Sequence, residues 1–310
     1  MNGELAVRYS KNPIIEKKDI PMPCNTVFNA AAVKHNGEYL LLLRVEGLEG
    51  KSSFYLARSS DGYNFKVEKK TVMSPSRKTP FSIYEKRGIE DPRITKIDGV
   101  YYIIYTAYSR HGPRLALAKT DDFRKFERMA LVSQPENKDG VLFPKKLNGK
   151  YARFDRPSTS YGSDIWISYS ADLIHWGDSK SVMATRPGFW DMKKIGAGAP
   201  PIETEKGWLL IYHGVKGTSG GNIYRLGCAM FDLNDPSKLI GRCHIPILSP
   251  EEYYERVGDV ANVVFSCGTV LLEGKKELLI YYGACDTSIC VASAKLDELI
   301  ENTLVNKNEN

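Results

Sequence analysis

The feature that most constrains this 310-residue chain is a motif that echoes five times, nearly end to end. Each copy opens on an aromatic-apolar burst, at residues 39–44, 101–105, 151–156, 208–213 and 278–282. A second short apolar run follows each burst, at residues 55–62, 115–122, 165–170, 226–231 and 289–294. The bursts are too short for helices and too rich in Tyr, Ile and other apolar residues for loops, so they read as strands. Most follow a turn signal: Asn36-Gly37, Asp98-Gly99, Asn148-Gly149 or Lys206-Gly207. Asn-Gly and Asp-Gly suit the type I′ hairpin turn, which needs positive φ at both central positions. Repeats at a spacing of roughly 50 residues signal propellers or arrays.

The expectation is therefore an all-β fold, a five-bladed β-propeller with a central active-site pocket. Its blades centre near residues 28–66, 91–127, 141–177, 195–242 and 262–297. A long β-sandwich has no reason to echo five times, and a β-helix has shorter, more uniform rungs. One domain spans 1–310. Residues 1–25 form an extended arm that completes a blade or covers an edge. The chain from Leu296 starts as a short helix and runs into a short carboxy-terminal tail, 298–310, that ends in polar residues. In a propeller the inner strands meet around one axis, so residues far apart in sequence share a pocket.

Composition narrows the partners. Hydrophobic residues make up 42% of the chain, ample for a core, and the net charge is +6. The basic pairs Lys17-Lys18, Lys69-Lys70, Lys145-Lys146, Lys193-Lys194 and Lys275-Lys276 are scattered among acidic neighbours. Without a basic stripe or a recognisable module, nucleic acid is not the expected partner. An anionic small substrate remains compatible with the charge. The first eight residues contain no apolar h-region, and no apolar run reaches the length of a membrane span. The six cysteines show neither CxxC nor zinc spacing and read as buried thiols in a cytoplasmic protein. The five histidines are dispersed, so no metal or cofactor is expected. Homo-oligomerisation is left open.

The segment before the second blade, Glu85-Lys86-Arg87-Gly88-Ile89-Glu90-Asp91-Pro92-Arg93, carries adjacent carboxylates. Pro92 biases Asp91 towards extended geometry, which points Glu90 and Asp91 to opposite sides. One carboxylate then faces the axis while the other packs or pairs with Arg87 or Arg93. The plain alternative is a charged turn closed by a salt bridge.

The string Gly88-Ile89-Glu90-Asp91-Pro92-Arg93-Ile94-Thr95 resembles the catalytic signature of glycoside hydrolase family 130. Five further segments match in order: Phe28-Asn29-Ala30-Ala31, Leu142-Phe143-Pro144, Arg156-Pro157-Ser158, Ile195-Gly196-Ala197-Gly198 and Tyr281-Tyr282-Gly283-Ala284-Cys285-Asp286. Together they cover roughly residues 8–300. The resemblance implies a five-bladed propeller acting on β-mannosides, chiefly by inverting phosphorolysis, with inorganic phosphate as co-substrate. Overall similarity points to the β-1,4-mannooligosaccharide or mannosyl-N-acetylglucosamine branch.

The same resemblance makes Asp91 the general acid, acting on the glycosidic oxygen through the 3-hydroxyl of the mannosyl ring. An acid must be protonated to act, so burial, Glu90 or bound phosphate is expected to raise its pKa. Arg156, Lys194 and His213 match phosphate-binding positions. Lys138 falls where relatives usually have arginine, which keeps charge but loses the bidentate fork. Asn29, Arg44 and Asp286 match residues around the mannosyl unit, with Ser53, Glu90, Tyr224 and Arg225 assigned to the same cavity. Tyr105, Tyr108 and Tyr161 read as blade core rather than sugar platforms. Asp155 stands where many relatives have His, and either orients Arg156 or faces the other side of its strand. The stretch 196–201 is expected to let backbone approach the pocket.

Two other activities fit the same scaffold. A β-mannosidase would use water and need a second carboxylate as base. A non-catalytic glycan-binding propeller would leave Asp91 and the cations without a shared purpose.

Overall fold

In the computed structural model, which describes residues 4–159, 162–272, 274 and 276–304, the chain forms 22 strands and three short α-helices. The all-β expectation holds. Strands are organised as antiparallel meanders whose turns sit where the sequence places them. Asn36 and Gly37, Asp98 and Gly99, and Asn148 and Gly149 all have positive φ. Each pair is flanked by directly opposed residues: His35 with Glu38, Ile97 with Val100, and Leu147 with Lys150. These are the two-residue hairpins that Asn-Gly and Asp-Gly encode.

The first meander contains Cys24–His35, Glu38–Gly47, Ser52–Ser59 and Lys66–Met73. The second contains Gly88–Ile97, Val100–Tyr108, Arg114–Thr120 and Glu127–Leu131. The third contains Asn137–Leu142, Tyr151–Pro157, Ile165–Ser170 and Trp176–Met183. It begins four residues before the 141 expected from the repeat. The fourth is built on Gly207–Thr218, Gly221–Phe231 and Leu239–Arg242, with Lys194–Ala197 and Ile202–Thr204 along its inner side. The fifth contains Val264–Leu272, Glu277–Ala284 and Ser288–Lys295. Hydrogen bonding groups these strands into four sheets, because one parallel pair, Ser52 with Gly88, fuses the first two meanders into an eight-stranded sheet.

The amino-terminal arm supplies the outer strand that the fifth meander lacks. Val7–Arg8 and Ile15–Glu16 pair with Ser288–Lys295. Arg8 donates from Nε and Nη2 to the buried Glu255 at 2.9 and 3.0 Å, and the Tyr282 hydroxyl donates to the same carboxylate. The helix Leu296–Leu304 buries Leu299 and packs against Gly221–Phe231 and Leu239–Arg242.

The opening strands of the first four meanders touch in succession, and Val264–Leu272 lies against both the first meander and the fourth. Between neighbouring meanders, apolar side chains interdigitate. Phe143, Phe154, Trp208 and Phe231 form one such seam, with ring centroids 4.7–5.0 Å apart. Burying each ring is worth about 1.5–3 kcal/mol, so the seams fix where the strand ends meet.

Candidate active site

Three opening strands share one irregularity. The ladder shifts between Phe28 and Ala31, between Glu90 and Arg93, and between Lys138 and Val141. Within these bulges Asn29, Asp91 and Asp139 have φ of 50°, 50° and 56°. Short polar side chains tolerate this left-handed region, and a bulge re-aims the side chain it carries. Asp91 is therefore not extended, despite Pro92. Alternation is broken, so Glu90 and Asp91 face the same guanidinium rather than opposite sides. Arg44 donates from Nη1 to Asp91 Oδ1 and from Nη2 to Glu90 Oε1, both at 2.9 Å. Its Nε donates to Ser52 Oγ at 2.9 Å, and its guanidinium lies 4.3 Å from the Phe28 ring centroid. Asn29 Nδ2 adds a bond to Asp91 Oδ1 at 2.9 Å.

Neither arginine expected beside the acidic pair takes it in that way. Arg87 lies over the Tyr108 ring. Arg93 is fully buried and works as a keystone: Nη1 donates to the Asp91 carbonyl, Nε to the Gly198 carbonyl, and Nη2 to Asp139 Oδ1 and the Ala197 carbonyl. Asp139 in turn accepts Arg156 Nε on Oδ2 at 2.6 Å, with His213 Nε2 3.6 Å from the same oxygen. Asp155 does not orient Arg156. It faces the other side of the strand and is bound by Arg153 Nε at 2.9 Å.

The cations of the site thus fall into two sets. Arg44 is committed to Glu90 and Asp91, and Lys138 Nζ reaches Glu90 Oε2 at 3.3 Å. Arg156, by contrast, spends only Nε; its Nη groups meet no acceptor among the described residues. Lys194 forms no ion pair among the described residues and sits 5.0 Å from the Tyr224 ring centroid. The buried His213 Nδ1 has no hydrogen-bond partner among the described residues. Uncommitted guanidinium and ammonium donors of this kind are able to bind an anion.

Electrostatics separate the titrating groups. Burial pushes the Asp91 carboxyl up, but Arg44, Lys138, Arg93 and the Asn29 amide outweigh it and hold the group below its ordinary value. The expected upward shift is therefore absent in the free protein. Asp286 behaves oppositely: burial, with Asp91, Asp259 and Glu90 nearby, pushes it up to about 6 against the pull of Arg44. Burial lowers His213 to about 3, with Arg156, Arg93 and Lys194 adding to the effect, so the imidazole is neutral at working pH. Lys194 is lowered by burial and by Arg156. Asp139 stays ionised, because Arg156 and Arg93 overcome its burial.

Other assignments separate cleanly. Ser53 makes no hydrogen bond to the site among the described residues; its neighbour Ser52 takes that place, one position along the alternating strand. Arg225 lies on the other face of the strand from Tyr224 and lines a separate cavity with Ser249, Glu251 and Arg256. Tyr105 is core, its hydroxyl donating to Glu85 Oε1 at 2.6 Å. Tyr108 instead lies beneath Arg87 and Lys138. Tyr161 lies outside the described residues. At Gly196 a Cβ would collide with Asp139 Oδ2 and His213 Cε1, so backbone does approach the pocket.

Asp139 is the main residue that reading the sequence missed. The signal was present: Phe28-Asn29-Ala30-Ala31, Glu90-Asp91-Pro92-Arg93 and Lys138-Asp139-Gly140-Val141 occupy equivalent places in three meanders. Starting the third blade at 141 hid the equivalence.

An all-β scaffold that gathers paired carboxylates bound by Arg44 and Lys138, and a second cation set around Asp139, defines a class of polar site able to take a hydroxylated ligand and an anion. The sequence model described as β-1,4-mannooligosaccharide phosphorylase matches residues 5–304, and the chain belongs to glycoside hydrolase family 130. It is 39% identical to a 1,2-β-oligomannan phosphorylase of Thermoanaerobacter sp. (strain X514), covering 94% of this chain and 98% of that one. It is 34% identical to a β-1,4-mannooligosaccharide phosphorylase of Ruminococcus albus, covering 95% and 89%. Among solved structures, the β-1,2-mannobiose phosphorylase of Listeria innocua in complex with β-1,2-mannobiose superposes with a TM-score of 0.89 at 34% identity, covering 99% and 100%.

Proposed function

We propose that this protein cleaves β-mannosides by phosphorolysis with inversion, releasing α-mannose 1-phosphate and a shortened acceptor. The observation that carries this reading is the unspent cation set: Arg156, tied through Asp139 and Arg93 to the backbone carbonyl of Asp91, and Lys194, close to Arg156 and Asp139. A phosphorylase needs cations to hold its nucleophile, whereas an inverting hydrolase needs a second carboxylate as base. The five meanders, with opening strands in contact, are read as the blades of a five-bladed β-propeller in one domain.

In this mechanism Arg44, Asn29 and Asp286 hold the mannosyl unit, and Arg156, Lys194 and His213 hold phosphate. A phosphate oxygen attacks the anomeric carbon as its bond to the leaving oxygen breaks. Asp91 delivers the proton to that oxygen through the sugar 3-hydroxyl. Since the free protein holds Asp91 ionised, protonation has to accompany binding. Phosphate brings negative charge into the cation cluster and thereby raises the carboxyl pKa.

Two relatives named for β-1,2-linked substrates favour that linkage. The family description and the Ruminococcus relative favour β-1,4 as the second reading. Incubation with β-1,2- and β-1,4-mannobiose, each with and without phosphate, separates them. We expect sugar phosphate from one disaccharide only when phosphate is present; mannose released at equal rate without phosphate contradicts phosphorolysis. No helix of the described residues is long and apolar enough to cross a membrane, and the six buried free thiols suit the reducing cytoplasm as compartment.

A further inference from the structure

We propose that Asp139 is the positioning residue of the anion site, the group that fixes which edge of Arg156 meets phosphate and ties that edge to the strand carrying Asp91. The inference rests on the phosphorolytic reading above. Both oxygens of Asp139 are in use. Oδ1 accepts Arg93 Nη2 at 3.0 Å, and Oδ2 accepts Arg156 Nε at 2.6 Å. Through Arg93 the same carboxylate is coupled to the Asp91 carbonyl and to the carbonyls of Ala197 and Gly198. One side chain therefore links the proposed acid, the proposed nucleophile site and the backbone segment just after Lys194.

The geometry on Arg156 gives the link a consequence. A guanidinium can present either its Nε–Nη side or its Nη–Nη end to an oxyanion, and both are bidentate. Asp139 occupies Nε, which leaves the Nη end. The residue cannot easily be replaced by a longer acid, since Gly196 packs against it so closely that a Cβ there would meet Asp139 Oδ2 and His213 Cε1. His213 Nε2, 3.6 Å from Oδ2, completes the enclosure. Asp139 is 2% exposed, so it meets neither solvent nor substrate directly and acts through Arg156.

A residue that acts through another has a kinetic signature distinct from a general loss of structure. The test is Asp139→Asn, with Arg156→Ala and the double variant alongside, assayed by initial rates against phosphate and against mannobiose. The expected result is a rise of about tenfold or more in the KM for phosphate, the scale of one lost charge-assisted contact. The KM for mannobiose should stay within about twofold. In the double variant, adding Asp139→Asn to Arg156→Ala should change phosphate affinity little, because coupled residues are not additive. An unchanged phosphate KM in folded Asp139→Asn, or full additivity in the double variant, overturns the proposal. If Asp139→Asn does not fold, Gly196→Ala decides, made in a His213→Ala background and compared with His213→Ala alone, because the added methyl meets both Asp139 Oδ2 and His213 Cε1. A raised phosphate KM there supports the link, and an unchanged one removes it. These outcomes are separable from failure of the phosphorolytic reading, which shows in the unaltered protein as phosphate-independent turnover.

Discussion

Replacing Arg156 with alanine should weaken phosphate use by about two orders of magnitude while leaving mannoside affinity nearly unchanged. The magnitude follows from which donors are free. Arg156 spends Nε on Asp139, so the Nη end remains for the ligand. Hydrogen bonds to charged groups contribute about 1.5–3 kcal/mol net, and at about 1.4 kcal/mol per decade a fork worth about 3 kcal/mol amounts to roughly 100-fold. The fold should tolerate the change, because Asp139 keeps Arg93 as a partner at 3.0 Å and is not left as an unpaired buried charge. Arg156→Lys should fall between, retaining charge without the fork. Initial rates at saturating mannobiose over a range of phosphate concentrations give the comparison. A phosphate KM within about twofold of the unaltered protein would refute the placement of the anion site.

Three further expectations come from other parts of the molecule. Asp91→Asn should lower turnover by at least ~100-fold, the scale of general acid catalysis, and near-normal turnover would take Asp91 out of that role. Asp286, raised to about 6 by burial, binds its proton more tightly folded than unfolded, so its contribution to stability is present below about pH 4 and is lost as pH rises towards 6. Urea melts across that window should show a loss of at most about 3 kcal/mol from this group, absent in Asp286→Asn; identical pH profiles would contradict the assignment. Arg8→Ala leaves the fully buried Glu255 without its cation, and should cost about 3 kcal/mol, read as a fall of several degrees in thermal denaturation. An unchanged melting temperature would mean that the arm does not secure the fifth meander.

Much of this architecture was legible in the chain because its signals are local. Asn36-Gly37, Asp98-Gly99 and Asn148-Gly149 each encode a two-residue hairpin, and the bursts between them could only be strands. Arg44, Asn29, Asp91, Arg156, Lys194 and His213 were legible by resemblance, and the fold brings them to neighbouring strand ends. What escaped was set by departures from regular structure. Alternation predicts opposite sides for Glu90 and Asp91, and the bulge at Asp91 defeats it. Alternation likewise leaves Ser52 and Ser53 undecided until the register with Arg44 is known. The direction of the Asp91 pKa shift depends on how many cations converge from other strands, which no single segment contains. Asp139 escaped because its bulge lies just ahead of the apolar run that marks its repeat.

The proposed phosphorolysis stands or falls on whether Arg156 and Lys194 hold phosphate as the nucleophile. Its most direct test is phosphorus NMR of the protein turning over the preferred mannobiose in buffered phosphate. Inorganic phosphate should be consumed in equal measure with disaccharide, and the only new sugar phosphate should be the α-anomer of mannose 1-phosphate. Free mannose formed with phosphate unconsumed, or a β-anomer as first product, would contradict it.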